Sequence, residues 1–473
     1  MVRDTLSSLK KGNWKALVAS FMYFDNSFSV WLILGALGPF IAEALDLSGA
    51  QKGFMVAVPV ISAAIFRINF GQVFQYIDGK KVALMGIVLS CVPHGYLLLS
   101  GARVSYETLL WMGVFLGVAG ASFAVALPMA GSNYPREVQG LVLGLAAAGN
   151  IGAVLDGILF PPIARAVGWE KAFLLSGLLL AVALLFMLVW GQDRTTKAGS
   201  GKVLPLFSFF LTLGAMVFLS IGFYRGWFGV GENVGKLLLP VVGSLIALLL
   251  LPGSLRKVFL ERDTWVLMLV YSITFGGFVG MSSYISILLR DTYGISKIEA
   301  GALMSLFAFT GALIRPLGGL IADRVSGVTA LFYFLGGIGL VNVAFALYMP
   351  PLALALPMFL ALYSLYGLGN GATFQLVPHR WPFKTGLMTG VIGAAGGIGG
   401  FYLPTVNGIV YDLTGHYTIA FALFGGIALF TAFVVKLLHA QWMEWAYLRY
   451  DFEKNELVGL DPRTGRVRVE VAG

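Results

Sequence analysis

The sequence predicts an all-α polytopic membrane protein: two six-helix lobes related by a pseudo-two-fold repeat, with two extra central transmembrane helices, fourteen spans in total. Three observations predict it. Of the 473 residues, 58% are hydrophobic and 12% charged, with mean hydropathy +0.84, whereas a soluble domain carries about 25% charged residues. The apolar residues gather in runs of about 20, the length a helix needs to cross roughly 30 Å of hydrocarbon. The first six and last six runs share sequence at a nearly constant offset.

In chain order, the segment MVRDTLSSLKKGNWK has no small-residue cleavage site before the first apolar run, which therefore reads as a spanning helix over 16–42 and not as a signal. Spans at 52–77, 82–101, 107–133, 138–164 and 171–191 follow and complete an N-terminal lobe, 1–191. A linker, 192–262, holds the two extra spans, 203–223 and 236–253. Spans at 264–289, 298–322, 328–348, 352–378, 386–411 and 416–437 form a C-terminal lobe, 263–437. In the polar tail, 438–473, nothing suggests an added enzyme domain. With the N-terminus inside, inner loops and helix ends carry 17 Lys and Arg against 8 outside, which places both termini and the tail in the cytoplasm. The net charge of +9 lies in these short loops, so it reports topology and not nucleic-acid binding.

Several chemistries are excluded. The single Cys91 rules out a disulfide framework or a multi-thiolate metal site. His94, His379, His416 and His439 are scattered, and no HExxH or GxSxG constellation supports an embedded enzyme. GLGNG, from Gly367, mimics a nucleotide loop but lies inside an apolar span, not between strand and helix. No cofactor is expected.

The repeat rests on three matches in order. RINFGQVFQYIDG from Arg67 aligns with RPLGGLIADRVSG from Arg315, offset 248; GASFAVALP from Gly120 with GATFQLVP from Gly371, offset 251; GWEKAF from Gly168 with GHYTIAF from Gly415, offset 247. Parallel six-helix repeats are the plan of a two-lobed carrier with its site at the midplane between the lobes. The extra pair falls at the lobe boundary, where an insertion disturbs packing least.

Arg67 lies near the middle of an apolar run, where an arginine costs roughly 2.5–3.5 kcal/mol. Arg315 occupies the equivalent place in the second lobe, so the two would meet across a central cavity. Candidate counter-charges within the spans are few, mainly Asp25 and Asp156. Two fixed cations make an anion site; the competing reading is a structural ion pair with one of those carboxylates. Arginine suits a planar oxyanion because its fork pairs bidentately and stays charged when desolvated. Phe123 and Phe374 are repeat-equivalent and are candidate aromatic walls. Asn150 and Asn370 are polar groups in small-residue helices, available as helix glue or as ligand donors. The glycine runs Gly140–Gly157 and Gly386–Gly400, with Gly144, Gly149, Gly390 and Gly396, allow close helix contact and, on the sharper reading, sliding during alternating access. The absence of a mid-span Lys favours a monovalent anion over an organophosphate, and the repeat favours a rocking carrier over a channel.

GGLIADRVSG, with Gly319, Asp323, Arg324 and Gly327, resembles the cytoplasmic loop motif GxxxDRxG of the major facilitator superfamily. The first lobe departs from it, with Gln75 and Tyr76 in place of the Asp-Arg pair. Three stretches resemble the nitrate/nitrite porter family of that superfamily: FDNSFSVWLILGALGPF from Phe24, GLVLGLAAAGNIG from Gly140, and GNGATFQLVP through GLMTGVIGAAGGIGGFYLP. The resemblance covers about 1–190 and 264–437; 192–262 falls outside it, since most members have twelve spans.

The resemblance implies a major facilitator fold and an alternating-access carrier of nitrate, nitrite or both, in the inner (plasma) membrane. Arg67 and Arg315 would clamp the oxyanion, Tyr271 would donate a hydrogen bond, Asn150 would lie near the substrate, and Phe123 with Phe374 would wall it. A monoanion entering against about 100 mV faces roughly 2.3 kcal/mol, so proton-coupled uptake is favoured, with Asp25 and Asp156 as candidate proton carriers; the pattern FDxSFxVW resembles the symporter branch. Nitrate/nitrite exchange or nitrite export is the alternative. The expected partners are the anion, protons and the bilayer, with a monomer as the working unit.

Overall fold

The first membrane helix starts at Asn13, whose side chain accepts the backbone N–H groups of Lys15 and Ala16 and so caps α1, Trp14–Ala44. α2, Gly49–Tyr76, opens on a capping box in which Ser48 and Gln51 satisfy each other's backbone donors. The computed structural model describes residues 10–101, 104–135, 138–197, 203–250, 256–381, 385–446, 448–451, 456–460 and 467–470. The first lobe continues with α3 (Gly79–Leu99), α4 (Tyr106–Ser132), α5 and α6 (Trp169–Trp190). Its α4 is interrupted between Gly120 and Phe123. Its α5 consists of Gln139–Ala147, a 3-10 turn at Ala148–Ile151, and Gly152–Val167.

The inserted pair is α7, Val203–Tyr224, and α8, Glu232–Leu249. The second lobe comprises α9 (Arg262–Tyr293), α10 (Lys297–Val325), α11 (Gly327–Leu347), α12 (Leu352–Arg380), α13 (Thr385–Thr414) and α14 (Thr418–Leu437). Thirteen of the described helices are long and apolar enough to cross a membrane. The glycine-rich α13, 30 residues long, occupies the place of the fourteenth predicted span. The repeat extends to the helix caps: α10 opens on the capping box Ser296/Glu299, 248 residues after Ser48/Gln51 (296 − 48 = 248). That is also the offset of Arg315 from Arg67.

Beyond the membrane bundle, a short helix α15, His439–Ala446, packs by the buried Trp442, whose indole N–H donates to Asp263 at the start of α9 (3.2 Å). Strands β1 (Leu448–Asp451), β2 (Glu456–Leu460) and β3 (Val467–Glu470) pair antiparallel in that order. The helical expectation therefore holds for the membrane part, and the tail adds a small sheet.

α1 and α2 form the centre: 94% of the most apolar window of α2 is buried, against 33% for the peripheral α6. The lobes meet along α2 with α13, α1 with α9, and α5 with α10. Small residues allow backbone contact there. A Cβ on Gly35 would lie 2.7 Å from Ser283 O, and one on Gly301 would lie 2.7 Å from Gly157 O. These contacts lie toward the end carrying the α1–α2 and α9–α10 loops, predicted to be outer. Toward the other end, a Cβ on Gly71 or Gly390 would meet nothing within 4 Å, and Asp323 and Arg324 are exposed.

Candidate anion-binding site between the lobes

The interruption in α4 prepares a ligand for Arg67. Ala124 N–H bonds to Ala121 O and not to Gly120 O, which leaves the Gly120 carbonyl free. Arg67 Nε donates to that carbonyl (3.1 Å), and Nη1 donates to Gly393 O of α13, in the other lobe (3.2 Å). Nη2 is buried and has no partner. Three rings surround the guanidinium, with centroids 5.2 Å (Trp31), 5.4 Å (Phe123) and 5.4 Å (Phe275) from Cζ. Arg67 is 6% exposed, and neither Asp25 nor Asp156 forms an ion pair with it. The structural ion-pair reading of this arginine is therefore not supported by the geometry.

The second half of the site comes from the C-lobe. Tyr271 and Phe275, one turn apart on α9, stack with centroids 5.0 Å apart and planes at 3°. Tyr271 meets Phe374 of α12 edge-on at 4.9 Å. Its hydroxyl is hydrogen-bonded to Arg315 of α10, which is half-buried and faces Arg67 electrostatically. Gly396 makes the stack possible, because a Cβ there would lie 2.6 Å from Phe275 and 2.9 Å from Tyr271. Phe123 and Phe374 are half-buried, and Phe123 leans on Phe24 at 5.4 Å. The predicted Arg67, Arg315, Tyr271, Phe123 and Phe374 thus converge on one continuous aromatic and cationic surface.

Asn150 is buried in the 3-10 turn of α5, which packs on α1. A Cβ on the adjacent Gly149 would lie 2.7 Å from the Phe24 ring and 3.0 Å from Asp25 N. Gly390 faces open space in this conformation. The surroundings of Gly144 lie outside the described residues, although its backbone is within the Gln139–Ala147 helix. Gly319, Asp323 and Arg324 lie toward the C-terminal end of α10, beyond Arg315.

Asp25 and Asp156 occupy a second polar cluster, between α1 and α5. The Gly152 N–H donates to the Asp25 carboxylate, and Ser29 Oγ donates to Asp156 Oδ1. Asp25 Oδ1, Asp156 Oδ2 and Asn26 Nδ2 are buried without partners. Two buried carboxylates thus lie between α1 and α5 with no cation paired to either among the described residues. Immediately beside them runs the α5–α10 seam, where Ser305 Oγ donates to Val154 O (2.6 Å).

Sequence reasoning missed Trp31 and Phe275 as partners of Arg67. Phe275 follows Tyr271 by one helical turn, a spacing that places both on one face and signals it. Trp31 is fixed by its indole N–H, which donates to Pro59 O (2.8 Å), a contact without a local signal.

A sequence model of the Major Facilitator Superfamily matches residues 19–404. The "Nitrite extrusion protein" of Bacillus subtilis is 27% identical, over 91% of this chain and 92% of its own. The "Probable nitrate/nitrite transporter NarK2" of Mycobacterium tuberculosis is 28% identical over 93% and 98%, and the "Probable nitrate transporter NarT" of Staphylococcus carnosus 30% over 88% and 92%. Among solved structures, a POT family transporter in complex with 5-aminolevulinic acid superposes with TM-score 0.68 at 14% identity, covering 91% of this chain and 97% of that one. This last likeness concerns the fold alone. The match over most of the chain makes this a multi-pass membrane transporter and not an enzyme. By its length of match and its relatives, the chain belongs to the nitrate/nitrite porter family of the major facilitator superfamily.

Proposed function

We propose that the protein carries nitrate or nitrite across the plasma membrane by alternating access, with both termini cytoplasmic and proton-coupled nitrate uptake as the favoured mode. One observation carries the reading: Arg67 is buried at the lobe interface with Nη2 unpartnered and no carboxylate paired to it. A guanidinium does not discharge itself by losing a proton, so the site lacks a negative charge that a monoanion supplies. In this reading a planar oxyanion accepts from Arg67 Nη2, Arg315 and the Tyr271 hydroxyl, while Phe123 and Phe374 exclude water from its faces. Asn150, buried in the 3-10 turn of α5, stands in this reading near the substrate. Because Arg67 touches Gly120 of one lobe and Gly393 of the other, rearranging its hydrogen bonds around the anion couples occupancy to lobe movement.

Asp25 and Asp156 are the proton carriers of this proposal, since a buried carboxyl without a cation is accommodated most easily when protonated. More than one proton per nitrate drives uptake against an inside-negative potential. Nitrate/nitrite exchange through the same arginines is the second reading, favoured by the similarity to a Bacillus subtilis protein named for nitrite extrusion. Purified protein in liposomes with an internal pH dye distinguishes them. Symport predicts lumen acidification on adding nitrate alone, abolished in Asp25→Asn or Asp156→Asn. Uptake only against trapped nitrite, without acidification, establishes exchange. Absence of movement of either anion, with Arg67→Lys indistinguishable from the parent, overturns the substrate assignment.

A further inference from the structure

At the closed end, the C-lobe grips the N-lobe at the first turn of α2. The first N–H groups of a helix have no partner within it. Here Gly49 N–H donates to Asp412 Oδ1 (2.6 Å) and Ala50 N–H to Asp412 Oδ2 (2.8 Å), so a carboxylate from α13 completes the cap that Ser48 begins. Lys52, on the same turn, reaches both oxygens of Asp291 at the end of α9 (3.2 and 3.1 Å). That pair is well shielded, with side chains 17% and 15% exposed. Tyr417 OH donates to Asp291 Oδ2 (3.0 Å) and is itself hydrogen-bonded to Tyr284 (3.2 Å), which holds Asp291 in place from its own lobe. Gly49, Gly53 and Gly408 let the two backbones touch: a Cβ on Gly49 would lie 2.8 Å from Gly408 O, and one on Gly53 would overlap Pro404 O.

The remaining outer ion pairs are weaker candidates for holding this end shut. Glu43 meets Lys297 (2.7 Å) and Arg290 (3.7 Å), but its side chain is 63% exposed, and such pairs contribute little. Toward the other end of the same helices, a Cβ on Gly71 or on Gly390 would meet nothing within 4 Å. The contact of this helix pair is therefore fastened at residues 49–52.

We propose that the first turn of α2, held by Asp291 and Asp412, is the outer latch of the carrier. Opening the outer mouth requires Asp412 to leave the α2 amides and Lys52 to leave Asp291. These three side chains set the ratio of inward-facing to outward-facing molecules, independently of any anion at Arg67. The consequence for affinity toward an external anion rests on the carrier reading above; the conformational ratio does not.

The test uses the full chain in nanodiscs, without nitrate or nitrite, in a Cys91→Ser background. Spin labels at Asp46→Cys and Tyr348→Cys, both exposed on outer loops of opposite lobes, report the width of the outer mouth by double electron–electron resonance. The parent gives a single short distance. Lys52→Gln and Asp412→Asn each shift the ratio toward the longer distance, by about tenfold for loss of one charge-assisted contact, and the double variant shifts it further. The exchange Lys52→Asp with Asp291→Lys restores the short distance, which a general loss of folding does not allow. A distance distribution unchanged in the Lys52→Gln/Asp412→Asn double variant overturns the latch. So does an exchange variant that opens as widely as Lys52→Gln alone.

Discussion

Replacing Gly120 by alanine tests how Arg67 is held. The new methyl would lie 2.5 Å from Trp31 Cε2 and 2.6 Å from Ala63 Cβ, closer than real Cβ contacts come. Trp31 has nowhere to move: it is 1% exposed and tied to Pro59 O. Segment Tyr106–Gly120 must therefore retreat from α1 and α2, carrying the Gly120 carbonyl away from Arg67 Nε. Overpacking of this kind costs about 1–3 kcal/mol of stability. Loss of a hydrogen bond to a charged group costs about 1.5–3 kcal/mol. Since each 1.4 kcal/mol is about tenfold in affinity, the KM for nitrate in liposome uptake rises at least about tenfold, and the melting temperature falls. The double variant Gly120→Ala/Trp31→Phe, which removes the clashing indole fusion atoms, recovers part of the KM. An unchanged KM in Gly120→Ala, or a double variant worse than the sum of its parts, refutes the account of how the guanidinium is positioned.

Other expectations follow from the same geometry. Arg67→Lys keeps the charge but has no planar fork to reach Gly120 O, Gly393 O and an anion together; nitrate binding by calorimetry weakens by at least about a hundredfold, as for loss of two charge-assisted hydrogen bonds. Gly152→Ala drives a methyl into Asp25 O on α1, so thermal melting in detergent shows a loss of about 1–3 kcal/mol. Asp193, in the loop after α6, is bonded by Lys197, by Thr195 and by the Gly79 N–H; burial pushes its carboxyl up, but those bonds outweigh it and hold the group below its ordinary value of 3.8. A lowered folded-state value stabilises the fold above the ordinary carboxyl range and loses that stabilisation as pH falls through the folded value. Melting of the parent therefore drops more steeply below about pH 4 than that of Asp193→Asn, and parallel curves contradict the assignment.

The two arginines were legible because a guanidinium in an apolar run is costly and the repeat supplied its partner. The placement of Phe123 beside Arg67 and of Phe374 beside Tyr271 was legible for the second reason only. What holds Arg67 was not, because its partners are backbone carbonyls, and a carbonyl has no residue-type signature. The freed carbonyl of Gly120 depends on a break in α4 that the continuous apolar run 107–133 conceals. The outer latch was hidden for a related reason: Lys52 read as one loop charge among several, and Asp412 lies 362 residues from Ala50, which it caps. In the first lobe, Gln75 and Tyr76 replace the loop carboxylate–arginine pair, and spacing could not locate a substitute. The structure has Asp193 capping α3 through Gly79 N–H (2.7 Å), while Lys197 donates to Phe74 O at the end of α2 (2.8 Å).

The inserted helices raise the question of why a carrier that must rock tolerates an insertion at the boundary between its moving halves. Their polar attachments answer it. α7 meets α2 through Asn69 Nδ2 and the hydroxyls of Ser208 and Thr212, at 3.4 Å each, and Phe209 packs between Phe66 (5.6 Å) and Phe70 (5.1 Å). Beyond the end of α7, Arg225 pairs with Glu107 (2.7 Å), and Tyr224 lies 4.7 Å from Tyr106. All of these tie the pair to the N-lobe. Toward the C-lobe, α8 also packs on α13, and the hydrogen bond there among the described residues is Tyr402 OH to Leu237 O (3.1 Å). A pair whose polar bonds fall mainly on one side is expected to travel with the N-lobe. On that account Tyr402→Phe, which removes the bond and keeps the ring, leaves transport nearly intact, whereas Asn69→Leu disturbs the helix that presents Arg67 and raises the KM for nitrate. The opposite ranking in liposome uptake makes the pair a hinge between lobes and not a passenger of one.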